Sequence, residues 1–420
     1  MYINSLTRHE SSTLFITKEN NEKVLYVFGR GEAYDSLDGE QRLLPGGEAK
    51  CCRMTNANAK TIRRLFPYTN PVRHKGRPFT LGLGDRLGLA SAGHIRLIKD
   101  SAIDVFPVLA QQSMRELNLT NRTYEDVFSA AVWAVFQEGY TKGYGADGDH
   151  LKTRGEIKAA LDCGFSMITL DCSEHINQDG DNIEAIYRGA IDHSINIYND
   201  LIRGNNVDFE ISIDETSFTT TPEAHYFVAN ELQKAGVEIT SLAPRFCGEF
   251  QKGIDYKGDI NAFASEFKAH FKIAEKAGYK LSVHSGSDKF KVFPIVYKET
   301  GRKVHIKTAG TNWLEALRTI AQKKPELFTE IFKFATANLS EAKKYYKITE
   351  NTANIPDINT LSGDMLPALL DQDDARQVLH ITYGAVLSSF KNAVYSTLNE
   401  YENEYYDALY KHIGRHIEGN

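Results

Sequence analysis

The sequence predicts an α/β protein built on a closed (β/α)8 barrel of the TIM type, with an N-terminal extension and added C-terminal helices. Eight short apolar runs lie between residue 79 and about residue 320. Stretches with helical spacing separate them, and strands that alternate with helices indicate right-handed crossovers and parallel pairing. Polar and ionisable residues follow most of the runs, as they do at the carboxyl ends of barrel strands.

The predicted strands are short and apolar, and they cover residues 79–83, 104–109, a weak run near Tyr144, 166–170, 209–213, 238–242, 280–283 and 304–306. The clearest helical patterns cover residues 183–202, 223–235 and 260–277. Eight strands over this length suit a closed barrel. Because the third run is weak, an open doubly wound sheet of six strands remains an alternative.

Two segments flank the predicted barrel, which we assign to residues 76–325. Residues 1–75 are predicted to form an irregular extension with one strand-like run at 23–28. Residues 326–420 are predicted to form helices that pack on the barrel, with helical patterns at 327–346 and 377–413. This last segment is rich in Tyr and Phe, which is compatible with a subunit interface and therefore with a homo-oligomer.

The composition excludes several classes of protein. The chain has 420 residues, 42% of them hydrophobic and 25% charged, as expected of a soluble globular protein. Its formal net charge of -6 argues against nucleic acid as a partner, and its apolar stretches are too short to cross a membrane. The N-terminus lacks the pattern of a secretion signal, and the five cysteines lack metal-finger spacing. We therefore expect reduced thiols and a cytoplasmic location.

Three residues after different strands predict a metal centre: His150, Glu249 and His284. Two imidazoles and one carboxylate form an open catalytic site for one divalent cation, and such mixed ligands suit Zn, Mn, Co or Fe. For His284, a core histidine bonded to backbone is the alternative. Asp149 adjoins His150, so it is a candidate to move a proton close to the cation.

Other polar residues at the strand ends are candidates to bind a small-molecule substrate. Arg86 follows a Gly-rich turn and is predicted to clamp an anion, although a simple pairing with Asp85 would explain it equally well. The full set of predicted substrate-binding residues is Arg86, Asp85, Lys152, Asp171, Ser285, Asp288 and Asn312. Some of these, Asp288 among them, have the alternative role of helix caps.

Several motifs resemble the class II, metal-dependent ketose-bisphosphate aldolases. Residues 165–174 (FSMITLDCSE) are similar to the fourth-strand motif of those enzymes, and residues 284–287 (HSGS) to their His-Gly-Gly-Ser. The Asp149–His150 pair resembles their acid/base Asp and adjoining metal His. Where those aldolases have a third metal His, this chain has Glu249. With residues 82–90 and 145–153, the pattern over residues 79–320 looks closer to the tagaturonate/fructuronate epimerases.

The resemblance implies a metal-dependent enzyme that inverts C4 of a 2-keto-hexuronate and interconverts D-tagaturonate and D-fructuronate. It implies metal ligation by His150, Glu249 and His284, and acid/base roles for Asp149 and Glu215. Asp171 and Glu174 compete with Glu215 for the second role. Either a retro-aldol step followed by recombination or a direct exchange of the C4 hydrogen would achieve the inversion, and the aldolase-like framework favours the first.

The candidates to hold the substrate carboxylate are basic, and they are Arg86, Lys152, Lys289 and Lys307. Solvated surface lysines are the alternative for each Lys. Two other functions remain open: a class II aldolase acting on a ketose or sugar acid, and a non-catalytic protein that binds sugar acids. A binder needs no proton donor beside its cation, which counts against the second.

Overall fold

The structure is a computed structural model that describes residues 1–346 and 348–419. An antiparallel sheet begins the chain, with the spatial order β1-β2-β3-β5-β4. Its strands are β1 (Thr7–His9), β2 (Ser12–Glu19), β3 (Glu22–Phe28), β4 (Glu40–Leu44) and β5 (Gly47–Arg53). The prediction of an irregular segment was therefore wrong. The alternation of buried Leu14 and Ile16 with half-buried neighbours in β2 is the period of a strand with one buried face.

Eight parallel strands close into a barrel, as predicted. They are β6 (Phe79–Leu83), β7 (Phe106–Gln112), β8 (Gly145–Leu151), β9 (Met167–Asp171), β10 (Asp208–Ser212), β11 (Ser241–Ala243), β12 (Lys280–Val283) and β13 (Val304–Thr308). The last strand pairs with the first, Val304 opposite Phe79, which completes the ring. Closure excludes the open doubly wound sheet.

Strands β7 and β8 extend beyond the predicted runs at their carboxyl ends, and β11 begins three residues later than predicted. Strand β7 continues beyond the apolar run through Gln111 and Gln112, and β8 continues through Asp149 to Leu151. The weak run near Tyr144 is thus a full strand. Apolar patterns stop early here because the last residues of these strands carry polar side chains.

Sixteen α-helices lie within the described residues. They are α1 (Glu32–Ser36), α2 (Asn56–Leu65), α3 (Ser91–Asp100), α4 (Met114–Thr120), α5 (Tyr124–Gln137), α6 (Arg154–Cys163), α7 (Ile183–Ile197), α8 (Pro222–Lys234), α9 (Ile260–Ala277), α10 (Phe293–Thr300), α11 (Thr311–Lys323), α12 (Pro325–Ala337), α13 (Leu339–Ala342), α14 (Asp373–Ile381), α15 (Tyr383–Glu400) and α16 (Glu402–Glu418). A π turn, Tyr198–Ile202, extends α7 to the predicted end. No helix in residues 1–346 and 348–419 combines the length and apolar character that a membrane crossing requires.

The C-terminal helices pack against the barrel. Helix α16 lies on α3 and α11, and Gly93 of α3 allows this approach, since a Cβ there would lie 2.8 Å from the ring of Tyr406. Trp313 of α11 donates a hydrogen bond to the carbonyl of Leu379 in α14 (2.9 Å). These contacts hold α14 over the carboxyl ends of the barrel strands, where its residue His380 lines a cavity.

Candidate active site

A cavity opens at the carboxyl ends of the barrel strands, where active sites of this fold lie. Its walls are mostly polar and charged, and the lining residues are Arg86, Gln111, Ser113, Arg115, Glu116, Asp149, His150, Asp214, Glu215, Gln251, Lys252, His284, Ser285, Ser287, Lys307, Thr308, Ala309, Gly310, Tyr346 and His380. Seven of the predicted site residues are among them: Asp149, Glu215, His150, His284, Arg86, Ser285 and Lys307.

Two predicted metal ligands, His150 and His284, lie together with Asp214, which is not among the predicted ligands. Ligand atoms of His150, Asp214 and His284 all lie within 4.8 Å of one another. The rings of His150 and His284 have centroids 4.8 Å apart, and Nδ1 of His284 lies 3.1 Å from Oδ1 of Asp214. Two imidazole nitrogens and a carboxylate oxygen within this distance are a donor set that fits one divalent transition-metal cation.

Glu249 lies outside this group of ligand atoms. Its backbone pairs with that of Lys257, with Glu249 N donating to Lys257 O over 2.8 Å. The side chain is half-buried and lines a groove that also contains Asp214 and His284. In this structure the carboxylate beside the two histidines is therefore Asp214, not Glu249.

Strand alternation explains why Asp214 points inward. Glu210, Ser212 and Asp214 are spaced two apart, so they share one face of β10 and its extension. Glu210 and Ser212 are buried in the barrel, and the Ser212 hydroxyl donates to Oδ1 of Asp214 (2.5 Å). The Glu-x-Ser-x-Asp spacing is therefore the sequence feature from which an inward-facing Asp214 could be predicted.

A buried ion cluster lies beneath the histidines. Nζ of Lys307 contacts Oδ2 of Asp147 (2.7 Å), Oδ1 of Asp149 (2.8 Å) and Oε1 of Glu210 (2.9 Å). Burial opposes the charge on Lys307, but the three carboxylates outweigh it and raise the pKa of its ammonium well above the ordinary value. Lys307 was a candidate to hold the substrate carboxylate, and these contacts instead occupy it within the protein.

The same cluster orients both histidines. Oδ1 of Asp149 lies 2.7 Å from Nδ1 of His150, and Oε1 of Glu210 lies 2.8 Å from Nε2 of His284. A carboxylate bound to one nitrogen of an imidazole fixes the ring and leaves the other nitrogen for a cation. Burial would raise the pKa of Asp149, but Lys307 and His150 outweigh it and hold this pKa well below the ordinary value.

Both observed partners of Asp149 bind its Oδ1 atom. Within residues 1–346 and 348–419, Oδ2 has no hydrogen-bond partner, so this is the oxygen available to a substrate in the cavity. Glu215 lines the same cavity, and its side chain is exposed. Two carboxylates therefore flank the space beside the histidines.

Backbone strain occurs at the same rim. His150 and Ser285 have φ angles of 53° and 50°, in the left-handed region that residues with a Cβ seldom adopt. Such conformations cost of order 1–3 kcal/mol each and persist where the surrounding structure enforces them. Here they occur at one histidine of the pair and at the residue after the other.

Arg86 is a cavity residue whose charge is already paired. Its Nε donates to Oε1 of Glu116 (3.0 Å), and its guanidinium lies over the ring of Tyr383, 3.8 Å from the centroid. Glu116 is held in place because it also closes the capping box of α4 with Ser113. Arg86 thus forms part of the cavity wall, but its charged partner is Glu116, which is neither a substrate anion nor Asp85.

Asp85 and Asn312 do not line the cavity. The Asp85 carboxylate accepts hydrogen bonds from the backbone N–H groups of Leu87 (3.0 Å), Gly88 (2.8 Å) and Ala90 (2.7 Å), so it shapes the loop before α3. Asn312 is buried, pairs with His94 through Oδ1 (2.9 Å) and donates to the carbonyl of Gly84. Their polar groups are therefore occupied by the protein, contrary to the prediction of substrate contacts.

Lys152 and Asp171 also lie away from the cavity, where they contact each other. Nζ of Lys152 lies 3.5 Å from Oδ2 of Asp171 and 2.9 Å from Oε1 of Glu174, and Oδ1 of Asp171 accepts the backbone N–H of Ser173 (2.8 Å). These contacts indicate a structural ion pair at the end of β9. Asp171 and Glu174 therefore do not lie at the cavity, where a residue that competes with Glu215 for the second acid/base role would have to lie.

Asp288 and Lys289 anchor the C-terminal helices instead of facing the cavity. Asp288 pairs with Arg376 of α14 (2.7 Å) and with His412 of α16 (2.5 Å). Asp288, His412 and His416 also place ligand atoms close together. However, Nε2 of His416 accepts the N–H of Asp288 (2.9 Å), which occupies that nitrogen. Lys289 donates to the carbonyls of Gln251, Ile254 and Ser287, so all three of its N–H groups are used.

The fold and this cavity define a (β/α)8-barrel enzyme with its site at the carboxyl ends of the strands. The profile described as UxaE, tagaturonate epimerase, matches residues 2–185 and 177–419. A tagaturonate/fructuronate epimerase of Thermotoga maritima is 37% identical over 465 aligned positions, which cover 100% of this chain and 96% of that protein. The chain belongs to the tagaturonate epimerase family, and it is an epimerase of the isomerase class.

Solved structures agree with this assignment. The native crystal structure of the fructuronate-tagaturonate epimerase UxaE from Cohnella laeviribosi matches with a TM-score of 0.96 and 42% identity. A glycerol complex of the same Cohnella laeviribosi protein matches with a TM-score of 0.95 and the same identity. Each comparison covers 100% of this chain and 96% of the other, so the likeness includes both segments that flank the barrel.

Proposed function

We propose that this enzyme interconverts D-tagaturonate and D-fructuronate by inverting C4 and that it requires one divalent cation. The observation that carries the proposal is the group formed by His150, Asp214 and His284 beside two carboxylates in the cavity. The family relatives are named for this pair of sugar acids. Their likeness to the chain over its whole length supports the same substrates here.

His150 and His284 would hold the cation together with one carboxylate. The sequence motif suggests Glu249 for this third position, whereas the distances favour Asp214. When bound, the cation would supply a Lewis acid that polarises substrate oxygens and stabilises negative charge on them. Zn²⁺, Mn²⁺, Co²⁺ and Fe²⁺ all suit this donor set.

Asp149 and Glu215 would move the protons. In the retro-aldol route, one carboxylate removes the proton of the 4-hydroxyl, the C3–C4 bond breaks, and its electron pair passes through C3 to the C2 carbonyl oxygen. The new C4 aldehyde turns over, C3 attacks its other face, and the carboxylic acid returns the proton to the C4 oxygen. No atom is gained or lost. In the direct route, the two carboxylates would exchange the C4 hydrogen from opposite faces.

The retro-aldol route is the one that we favour. The C4 hydrogen is not adjacent to the C2 ketone, so simple enolisation does not acidify it, whereas the 4-hydroxyl proton suits transfer to a carboxylate. Oδ2 of Asp149 is available for this transfer, because Lys307 and His150 bind only Oδ1. These two contacts hold the carboxylate at the cavity wall and keep it ionised.

The proposed reaction predicts a simple outcome. Incubation of the protein with D-tagaturonate and Mn²⁺ or Zn²⁺ should give D-fructuronate, followed by NMR of the sugar products. Three-carbon fragments would identify an aldolase instead. Bound but unchanged tagaturonate would identify a sugar-acid-binding protein and would refute the proposed function.

A second prediction concerns Asp149. The variant Asp149→Asn keeps an oxygen for Lys307 and His150 but cannot take up a proton, so we expect kcat to fall about 10²- to 10⁴-fold while the metal is retained. Epimerisation kinetics and metal analysis on the same preparation would measure both. The control is Asp162→Asn. Asp162 lies on the exposed face of α6 and accepts a hydrogen bond from Lys158. Loss of metal from Asp149→Asn would show that this residue acts mainly by orienting His150.

A further inference from the structure

Four basic side chains of Arg and Lys line the cavity: Arg86, Arg115, Lys252 and Lys307. Two of them are neutralised by the protein. Arg86 pairs with Glu116 at 3.0 Å, and Lys307 lies among three carboxylates at 2.7–2.9 Å. Neither has a free charge for a ligand anion.

The other two cations have no such partner. Nζ of Lys252 donates to the neutral hydroxyl of Ser285 (2.9 Å), and Arg115 lies over the ring of Tyr346, 4.9 Å from its centroid. Within residues 1–346 and 348–419, neither forms an ion pair with a carboxylate. Burial, and after it the positive charge of Arg115, lowers the pKa of the Lys252 ammonium. An anion bound beside Lys252 would stabilise its charged form.

His380 provides a second, independent sign of a ligand. Its side chain comes from α14, is 1% exposed and lines the same cavity. Arg86 can only donate, so Nε2 of His380 accepts from it (3.4 Å) and Nδ1 carries the hydrogen. Nδ1 is buried and has no partner among the described residues. A buried N–H without an acceptor is energetically unfavourable, so an oxygen supplied by a ligand is expected here.

Two glycines make room for this imidazole. A Cβ at Gly310 would lie 1.9 Å from Cε1 of His380, and one at Gly253 would lie 3.3 Å from its Nδ1. Gly253 also has a φ of 78°, which favours glycine. Gly253 directly follows Lys252. The backbone conformation that makes room for His380 therefore also positions the Lys252 ammonium group, which forms no ion pair with a carboxylate of the described residues.

We propose that Lys252 and Arg115 bind the carboxylate of the sugar-acid substrate and thereby select hexuronates over neutral ketoses. This inference rests on the proposed function for the identity of the sugar acid. Arg86, Lys152, Lys289 and Lys307 are excluded from the role because their charged groups are occupied by the protein. Lys252 contacts Ser285, the residue after His284, so the carboxylate would lie next to the histidine pair.

Calorimetric titration of the metal-loaded protein tests the assignment. The ligands are a D-tagaturonate–D-fructuronate mixture of constant composition and, separately, the neutral ketose D-tagatose, in which CH₂OH replaces the carboxylate. We expect Lys252→Met to weaken uronate binding about 10- to 100-fold and to change tagatose binding less than about twofold, since only the uronate contributes a charged hydrogen bond. Lys252→Arg should restore most of the uronate affinity.

The matched control is Lys257→Met, which removes the same charge from an exposed position five residues later in the same loop. It should bind the uronates as the wild type does. Thermal unfolding and retained tagatose binding show that Lys252→Met is folded. Unchanged uronate affinity in that variant, or an equal loss of both ligands, would overturn the assignment. Tight uronate binding by a wild type that does not epimerise would instead refute the proposed function and leave the carboxylate site standing.

Discussion

The variant His284→Ala is expected to lose its bound metal and its epimerase activity together. His284 contacts Glu210 through Nε2 and Asp214 through Nδ1, so its ring is positioned at the centre of the ligand group. Changes to residues that merely orient a ligand already reduce metal affinity about 10- to 100-fold. Removal of the ligand itself should exceed that effect, and turnover should fall to background. Metal content after dialysis, with activity at saturating substrate, gives the measurement.

Two further variants make this prediction specific to the ligand group. Asp214→Asn and Glu249→Gln each replace one carboxylate by its amide, and both residues lie near His284. We expect Asp214→Asn to lose metal affinity and Glu249→Gln to retain it. If Glu249→Gln instead loses metal affinity and Asp214→Asn retains it, the third metal ligand is Glu249, as the sequence motif suggested. Normal metal binding by His284→Ala would refute the whole ligand set.

The barrel could be predicted because most of its strands are buried and apolar on both sides. Strands β6 and β12 begin and end as predicted, and β13 begins at the predicted residue. Strand β8 was weak for a functional reason. Its residues 145–151 read Gly-Ala-Asp-Gly-Asp-His-Leu, since the inward positions carry Asp147 and Asp149. The acidic residues of the ion cluster thus obscured the apolar pattern that identifies a strand.

The N-terminal sheet was missed for a different reason. Its strands are antiparallel. Strand β3 has a continuous buried run, which falls in the strand-like run predicted at 23–28, whereas burial alternates in β2 and β4 is mostly exposed. Without a continuous apolar run in each strand, the polar residues and the turns at Glu10 and Asn20, both with positive φ, are typical of an irregular segment. The pairing of residues far apart in the chain, such as Leu25 with Cys52, determines this structure.

The site was predictable where it depends on topology alone. His150 and His284 lie together because parallel strands deliver their carboxyl ends to one mouth. The residue type alone does not distinguish Asp149, which lines the cavity, from Asp85, which accepts backbone hydrogen bonds in a loop. The position of His380 in the cavity could not be predicted from the sequence, because this residue lies on α14, a helix that packs over the barrel. The assigned catalytic and ligand roles themselves stay predictions.

The variant Lys307→Met is expected to be strongly destabilised. It would leave Asp147, Asp149 and Glu210 as carboxylates in the barrel interior without the cation that now lies within 2.9 Å of each. Removing one partner of a buried ion pair typically costs about 3–5 kcal/mol. A whole domain is stable by only about 5–15 kcal/mol, so this change should remove a large share of the free energy of unfolding. The fall in the thermal-unfolding midpoint measures the effect.

A double variant separates charge from packing in this prediction. Burial, with the charges of Asp149 and Glu210, raises the pKa of Asp147 to about 6 despite the Lys307 ammonium. Asp147 is therefore the carboxylate whose charge is least well compensated. Adding Asp147→Asn to Lys307→Met should recover part of the lost stability, whereas Asp147→Asn alone should not stabilise the wild type by the same amount. If the double variant is no more stable than Lys307→Met, the loss comes from packing of the lysine side chain, and the electrostatic account of the barrel interior fails.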